Sequence, residues 1–436
     1  MSQAPRRTFI KQTALSAVAA STLVHTSREA RAAEGRKIRM GAIGCGGQGT
    51  SLLKTFAAMP DVELAYVCDP DDARGQKAAE AVKEHAKPQV VRDLRQILDD
   101  KSIDAVTVAT PDHWHGPAAL LALEAGKHVY VEKPCSHNIR EGRLMIEAAA
   151  KAGRVVQVGT QARSTAYIGE VFEKLKQGVI GEVLVAKAWN SQRRKDIGHM
   201  QPSEAPGGFD YDLWVGPAPM VPFQANRHHY TWHWWYDFGT GDGGNDGVHE
   251  IDVARWGLGV DEHPSRATAL GGKLGFNDDQ QFPDTQYAVF HWDAPQGGTA
   301  KELVFEMRIW SPYRQDGFEN GCAFYGREGV LILGKGDGYK LYGPKNKLIE
   351  EKVGTVDTQA HRRNFIDCVI SGNKPNADIR TGHLSASLCH LANIATRVGR
   401  TVQFDGVKEQ IVGDDAANAL VTRRYREGHW AVPKGV

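Results

Sequence analysis

The 436-residue chain has no excess of either charge: 53 lysines and arginines face 52 aspartates and glutamates. A polyanion needs a basic field to hold it, so the composition argues against nucleic acid as a partner. Cysteine is scarce. Cys45, Cys68, Cys135, Cys322, Cys368 and Cys389 form no Cys-x-x-Cys pair and no metal-ligand spacing. Neither a disulfide framework nor a metal site can be read from them, and reduced thiols are expected. Membrane-spanning runs are missing as well. The uncharged stretch Thr13 to Val24 falls short of the ~20 residues that a bilayer requires, so no stable membrane insertion is expected. There is no internal repeat and no low-complexity tract. What is abundant is glycine, 47 residues, placed at turns and above the usual roughly 7%. The length suggests two or three domains, each able to bury a core without disulfides.

The N-terminus reads as a targeting segment. Arg6-Arg7-Thr8-Phe9-Ile10-Lys11 is a twin-arginine pattern, Thr13–Val24 has the length of a signal core, and Ala30-Arg31-Ala32 offers small residues for cleavage. Residues 1–35 are read as signal and linker. The twin-arginine route carries proteins already folded. The chain is therefore expected in the periplasm, with the export machinery as a partner and a cofactor loaded beforehand.

From Lys37 short apolar strands alternate with helical segments: strands at Ile38–Ile43, Val62–Cys68, Ile103–Ala109, His128–Val131 and Val155–Val158, helices at Thr50–Met59, Asp72–His85, Pro117–Ala125 and Ile139–Ala152. This alternation predicts a parallel α/β sheet over residues 36–160, a Rossmann-type domain. After Gly159 the rhythm changes. Val183–Asn190, Ala267–Gly271, Gln286–Trp292, Leu303–Ile309, Ala323–Gly326 and Val330–Leu333 read as antiparallel-type strands, with late helices at Thr358–Ser371 and Arg380–Val398. Residues 161–436 are therefore expected to form an α+β domain with an open, mainly antiparallel sheet. A long loop, Gln192 to Asn245, lies between its first strand and its next helix. Its wealth of Gly, Pro, Trp and His marks it as functional rather than disordered.

The strand at Ile43 runs straight into Gly44-Cys45-Gly46-Gly47-Gln48-Gly49. In such a turn the first glycine allows the tight reversal, the second lets the backbone approach a pyrophosphate, and the third lets helix pack on strand. The helix N-terminus then faces the phosphates. Asp69 ends the second strand, 69 − 49 = 20 residues on. A carboxylate there accepts the adenosine ribose hydroxyls and repels a 2′-phosphate, which favours NAD over NADP. Two later segments end strands at the same carboxyl edge: Val108 to His115, and Tyr130-Val131-Glu132-Lys133-Pro134. The candidate cofactor contacts are thus Gly44, Gly46, Gly47, Gln48, Gly49, Asp69, Thr110, Pro111, His115, Glu132, Lys133 and Gln161.

Glu-Lys-Pro after a strand, together with the glycine turn and Asp69, resembles the Gfo/Idh/MocA family of glucose–fructose oxidoreductase, inositol dehydrogenase and their relatives. The resemblance runs from Lys37 to the last helices. It implies that the lysine, Lys133, works with an Asp and a His four residues apart on a helix of the second domain. His249 matches that histidine. Position 245 holds Asn where many members hold Asp, and Asp246 is one residue off that helical face. Asn orients a hydroxyl but accepts no proton at neutral pH. The candidate catalytic residues are therefore Lys133, His249 and Asn245, with Lys133 and His249 sharing the acid–base work.

Aromatic rings with interleaved polar groups at Arg227 to Asp237 suit a carbohydrate, whose C–H face stacks while its hydroxyls bond. Tyr230, Trp232 and Tyr236, with Arg163, Asp246 and His249, are the candidate substrate contacts. Rings filling a core or a subunit interface are the plainer alternative, and a homo-oligomer is expected. A metal bound by His228, His229 and His233 lacks a carboxylate or cysteine at familiar spacing. Three functions fit this pattern: an NAD-dependent oxidoreductase acting on a sugar or polyol, a redox-neutral NAD-dependent glycosidase, and a non-catalytic sugar-binding protein. The targeting segment yields a direct test. Changing Arg6-Arg7 to Lys-Lys should leave the protein in the cytoplasm with its signal uncleaved, and normal export on fractionation would refute the assignment.

Overall fold

The computed structural model of the chain describes residues 36–436; the twin-arginine segment lies outside the described residues. The first sheet is built from β1 (Ile38–Ile43), β2 (Val62–Cys68), β3 (Gln89–Val91), β4 (Ala105–Val108), β5 (His128–Val131) and β6 (Val156–Val158). All its pairings are parallel, in the order β3-β2-β1-β4-β5-β6. Every residue of β4, β5 and β6 is buried, as expected where helices cover both faces. Between the strands run α1 (Gly47–Ala57), α2 (Asp72–Glu80), α3 (Arg95–Asp99), α4 (Asp112–Glu124) and α5 (Ile139–Ala152). Register aligns the strand ends. Ile43 faces Cys68 on one side and Val108 on the other, Val108 faces Val131, and Val131 faces Val158. The residues that follow, Gly44, Asp69, Ala109, Glu132 and Gly159, therefore share one edge. The chain reverses its strand order between β1 and β4, the place where open α/β sheets bind ligands.

The second sheet has ten strands, ordered β14-β13-β12-β11-β7-β10-β9-β8-β15-β16. Its members are β7 (Val183–Asn190), β8 (Arg266–Gly272), β9 (Thr285–Trp292), β10 (Lys301–Arg308), β11 (Asn320–Gly326), β12 (Val330–Gly334), β13 (Gly338–Gly343), β14 (Lys347–Lys352), β15 (Val402–Asp405) and β16 (Gln410–Val412). Among the described residues only β7 with β10 is parallel in this sheet; the other pairings are antiparallel. Four of these strands give no apolar-run signal. β14, Lys-Leu-Ile-Glu-Glu-Lys, is an exposed edge strand with charges at both ends, and the last two are three or four residues long. α6 (Ala166–Lys176), α7 (Tyr211–Val215), α8 (Val248–Leu258), α9 (Thr358–Ser371), α10 (Ile379–Val398) and α11 (Asp415–Asn418) complete the elements.

The two sheets are locked together by the late helices. α10 begins where the Asp378 carboxylate accepts the Arg380 N–H, and it ends at Gly399 in the left-handed region, φ 67°. Phe365 and Ile366 of α9 pack into the core of the first sheet, with Tyr130 and Phe56. Val158 of β6 donates its N–H to Ala377 O at 2.8 Å, and its carbonyl lies 3.0 Å from His361 Nε2. The turn after β6 is tied to α8 by a buried ion pair. Arg163 Nε and Nη2 donate to Asp252 at 2.8 and 2.9 Å, Ser385 Oγ donates to the same carboxylate, and the guanidinium lies over the Trp256 ring. Asp252 is fully buried and the Arg163 side chain is 9% exposed. Removing one partner of such a pair leaves an uncompensated charge, at a cost of roughly 3–5 kcal/mol. Arg163→Met should lower stability by about that amount, read as a lower midpoint in urea; a loss under ~1 kcal/mol would show that water reaches Asp252.

Candidate active site

The glycine turn is shaped by contacts that exclude side chains. Gly44 has φ +90°, and a Cβ there would lie 2.5 Å from Ala109 O. A Cβ on Gly49 would lie 2.0 Å from Gly44 O, so helix α1 can approach β1 only with glycine at that place. Gly46 and Gly47 are different: their Cβ positions meet only the Arg74 Nη1, at 3.1 Å, or nothing at all. They leave bare backbone at the mouth of α1, facing a cavity of about 600 Å³. At the end of β2, Asp69 accepts the N–H groups of Cys45 and Asp71 at 2.8 and 3.0 Å. Burial raises its pKa while those bonds lower it. Each oxygen keeps a lone pair for a ribose hydroxyl. Bare glycines at a helix N-terminus beside a buried carboxylate fit NAD.

The other cofactor candidates line the same cavity: Gln48, Thr110, Pro111, His115, Glu132, Lys133 and Gln161. Two of them hold the frame. Glu132 accepts Gln48 Nε2 at 2.7 Å and the Lys133 N–H at 3.3 Å, joining α1 to the end of β5. His115 lies between the carbonyls of Pro134 and Thr110, and burial pushes its pKa down to about 4.

Lys133 and the second sheet meet in this cavity. Lys133 Nζ donates to Asn245 O at 2.5 Å and lies 3.4 Å from its Oδ1. Asn245 stands in a π-type turn, Gly243–Gly247, at the entrance to α8. Its Nδ2 donates to Asp242 Oδ1 at 3.0 Å, which fixes the amide with its oxygen toward Lys133. His249 faces the cavity. Burial, and then Lys335 and Lys133, hold its pKa well below the ordinary value, so the ring is neutral. Asp246 also reaches the cavity, because the wide turn brings it beside His249. Its carboxylate accepts Arg194 Nη2 at 2.5 Å and Lys335 Nζ at 2.7 Å. Burial opposes its charge, but Lys335, Arg194 and Lys133 outweigh burial and hold it ionised.

The aromatic loop divides. Tyr230 and Trp232 line the cavity, with Tyr230 50% exposed. Trp234, Trp235 and Phe238 are buried in the core. Two expectations are corrected. Tyr236 does not line the cavity: the 3-10 turn Thr231–Trp234 carries it away, and its ring packs edge-on to Phe282 under Arg397. Arg163 offers no substrate contact, since its guanidinium is committed to Asp252. Nor do His228, His229 and His233 converge. His229 Nε2 pairs with Asp71 at 2.9 Å, while His233 turns to the Tyr230 carbonyl.

Sequence reasoning missed Arg74, Asp112, Arg194, Asp242 and Lys335. Asp112 lay within the segment already singled out. It accepts Thr240 Oγ1 at 2.6 Å, and burial, opposed by Thr240 and Lys133, lifts its pKa to about 7. Lys335 carries a signal in hindsight, a lysine between two glycines after an apolar strand. Arg194 and Asp242 lie at opposite ends of the long loop and carry none.

A doubly wound parallel sheet with a glycine turn, a strand-end acid and a facing lysine defines an NAD-binding oxidoreductase. Residues 38–160 match the oxidoreductase family's NAD-binding Rossmann fold, and residues 186–284 and 331–432 match its C-terminal alpha/beta domain. The chain belongs to the Gfo/Idh/MocA oxidoreductase family. Among solved structures it resembles the WlbA dehydrogenase from Bordetella pertussis in complex with NADH and UDP-GlcNAcA (TM-score 0.64, 20% identity, 85% of this chain and 99% of that one). It also resembles levoglucosan dehydrogenase in complex with NADH and levoglucosan (TM-score 0.63, 18% identity, 84% and 99%). In sequence it is 30% identical over 157 residues to an alpha-N-acetylgalactosaminidase of Shewanella oneidensis, and 32% identical over 154 residues to a glycosyl hydrolase family 109 protein of Saccharopolyspora erythraea. These matches span 35% and 34% of this chain, and about a third of the length of those relatives, 34% and 33%.

Arg74 sharpens a test of the cofactor end. It stands beside the Asp69 carboxylate and the second glycine. Asp69→Ser removes the ribose acceptor and the repulsion of a 2′-phosphate, and it leaves that guanidinium free for the phosphate. Titration should show NAD weakened and the preference moved toward NADP by at least about tenfold. Tighter binding of NADP than NAD by the unmodified protein would overturn the role given to Asp69.

Proposed function

We propose that the protein oxidises a secondary hydroxyl of a sugar or related polyol, holding NAD as its redox partner. The observation that carries this is the meeting of Lys133 with the Asn245 turn, in a cavity that runs from the glycine turn to Tyr230 and Trp232. Oxidising an alcohol removes a proton from oxygen and a hydride from carbon. NAD, when bound, supplies the hydride acceptor. The chain's own groups manage the proton and the charge. Lys133 bonds to Asn245 and has a further N–H for the substrate oxygen, where its charge stabilises developing alkoxide. The neutral His249 ring accepts the proton. Ionised Asp246 favours the imidazolium that results. Tyr230 and Trp232 offer ring faces to the C–H side of a sugar.

A redox-neutral glycosidase is the second reading. Oxidation acidifies the neighbouring C–H, the aglycone leaves, water adds, and the hydride returns to the same carbon. The likeness of about a third of the chain to glycosyl hydrolase family 109 proteins favours it. A non-catalytic sugar-binding protein, by contrast, has no use for Lys133 and His249 facing one cavity. We also propose twin-arginine export to the periplasm. A homo-oligomer is supported by Leu270, Tyr287 and Tyr325, large exposed side chains on strands β8, β9 and β11.

Mass spectrometry of the purified protein for retained NAD(H) comes first. A sugar panel followed at the NADH absorbance and for released aglycone then separates the two enzyme readings. Lys133→Met should abolish turnover and leave NAD binding largely intact. His249→Ala should cost roughly 10²–10⁴ in rate. Asn245→Asp is more discriminating, because the new carboxyl would face Asp242, 3.0 Å from the present amide. Burial and that neighbour raise its pKa, the Lys133 ammonium 3.4 Å from the present amide oxygen lowers it, and it serves as a base only above that pKa. The dehydrogenase pH profile should therefore change, with activity kept or gained above that pKa; in a glycosidase the same change should suppress aglycone release. Both profiles unchanged would place position 245 outside the reacting centre.

A further inference from the structure

A second cavity, of about 360 Å³, adjoins the first. The two share Gln161, His249, Lys335 and Thr358. The remaining walls differ in kind. Apart from Glu250 they are Ala162, Ile168, Val253, Cys322, Leu333 and Val356, with Gly321, Gly334 and Gly336 completing the lining. Packed interiors hold few voids larger than a water molecule. An apolar cavity of roughly 150 Å³ already takes up benzene, so this one has room for an aryl ring and the atom that links it.

One lining side chain has an unmet demand. Glu250 is 2% exposed, and its Oε2 has no hydrogen-bond partner. Lys335 Nζ stands 3.4 Å from Oε1, and burial, opposed by Lys335, lifts the carboxyl to about 7. A buried carboxyl oxygen without a partner calls for a single polar atom on what lies beside it.

The position next to His249 links this space to the reaction. A sugar whose hydroxyl lies at Lys133 and His249 has the second cavity beside its other substituents. We propose that this cavity is the aglycone subsite, taking an aryl group joined to the sugar through a heteroatom, so that the substrates are aryl glycosides rather than free sugars. This rests on the sugar reading above. Hydrophobic walls supply the affinity, and Glu250 meets the linking or ring heteroatom.

The test uses the NAD-loaded protein and two kinds of probe. Benzyl alcohol, observed by saturation-transfer NMR, reports the cavity without any sugar. Methyl and phenyl glycosides of the same sugars report it through turnover. KM should be roughly 10- to 100-fold lower for the phenyl glycoside, from burial of the ring. Val253→Trp fills the space; it should abolish the benzyl alcohol signal and bring the phenyl-to-methyl ratio near one. Ala162→Leu, a smaller change on another wall, should reduce both and serves if the tryptophan variant does not fold. Equal KM values for the two glycosides, or a preference that survives filling, would overturn the subsite and leave the sugar reading standing. Benzyl alcohol bound and then lost on filling, with no glycoside turned over, would instead sink the sugar reading and uphold the cavity's preference for an aryl group.

Discussion

Lys133 has to arrive from one sheet against a turn that belongs to the other, and the chemistry of the molecule depends on that meeting. Its ammonium lies 2.5 Å from Asn245 O. The register of the parallel sheet sets one side of the contact by aligning the ends of β1, β2, β4, β5 and β6. The other side is set by helix α8, which is pinned from outside by the Arg163–Asp252 pair. A buried pair adds little net stability over an apolar replacement, but it tolerates one geometry only. Its place, between the turn after β6 and the helix carrying His249, suits that property.

Charge within the site is balanced over a distance. Lys133, Arg194 and Lys335 stand near Asp112, Asp242, Asp246 and Glu250. Only Asp246 is held strongly ionised, by two direct cationic contacts. Asp112 and Glu250 are lifted to about 7 by burial, and burial raises Asp242 as well. This arrangement gives a reason for asparagine at 245. A carboxylate there would sit between Lys133 and Asp242, attracted by one and repelled by the other. The amide instead donates to Asp242 and presents its oxygen to Lys133, serving both neighbours without adding charge.

The cofactor end was legible in the sequence because its constraints are local. Gly44, Gly49 and Asp69 act through backbone geometry within one βαβ unit, and the buried strands read as plain apolar runs. Asn245 and His249 came from a resemblance rather than from periodicity. The cations around Asp246 were not legible. Arg194 and Lys335 are 141 positions apart (335 − 194), and only the packing of β7 near β12 brings both to one carboxylate. Tyr236 was misplaced for a related reason: a run of aromatic residues carries no sign of which rings turn inward, and the Thr231–Trp234 turn decides it. The edge strand β14 escaped because an exposed strand with charged ends has no apolar pattern to read.

The long loop has a role beyond lining the substrate side. It crosses to the first sheet at the strand end that bears Asp69. Asp72 donates its N–H to Gly208 O at 3.0 Å, Asp210 donates to Pro70 O at 2.8 Å, and His229 pairs with Asp71. Trp114 Nε1 adds a bond to Trp214 O at 3.0 Å. Each hydrogen bond contributes roughly 0.5–1.5 kcal/mol net, and together they fasten the loop to the chain just after Asp69. The strand end that carries Asp69 is therefore positioned from both sides, by the parallel sheet that ends in it and by the long loop that bonds to the residues just after it.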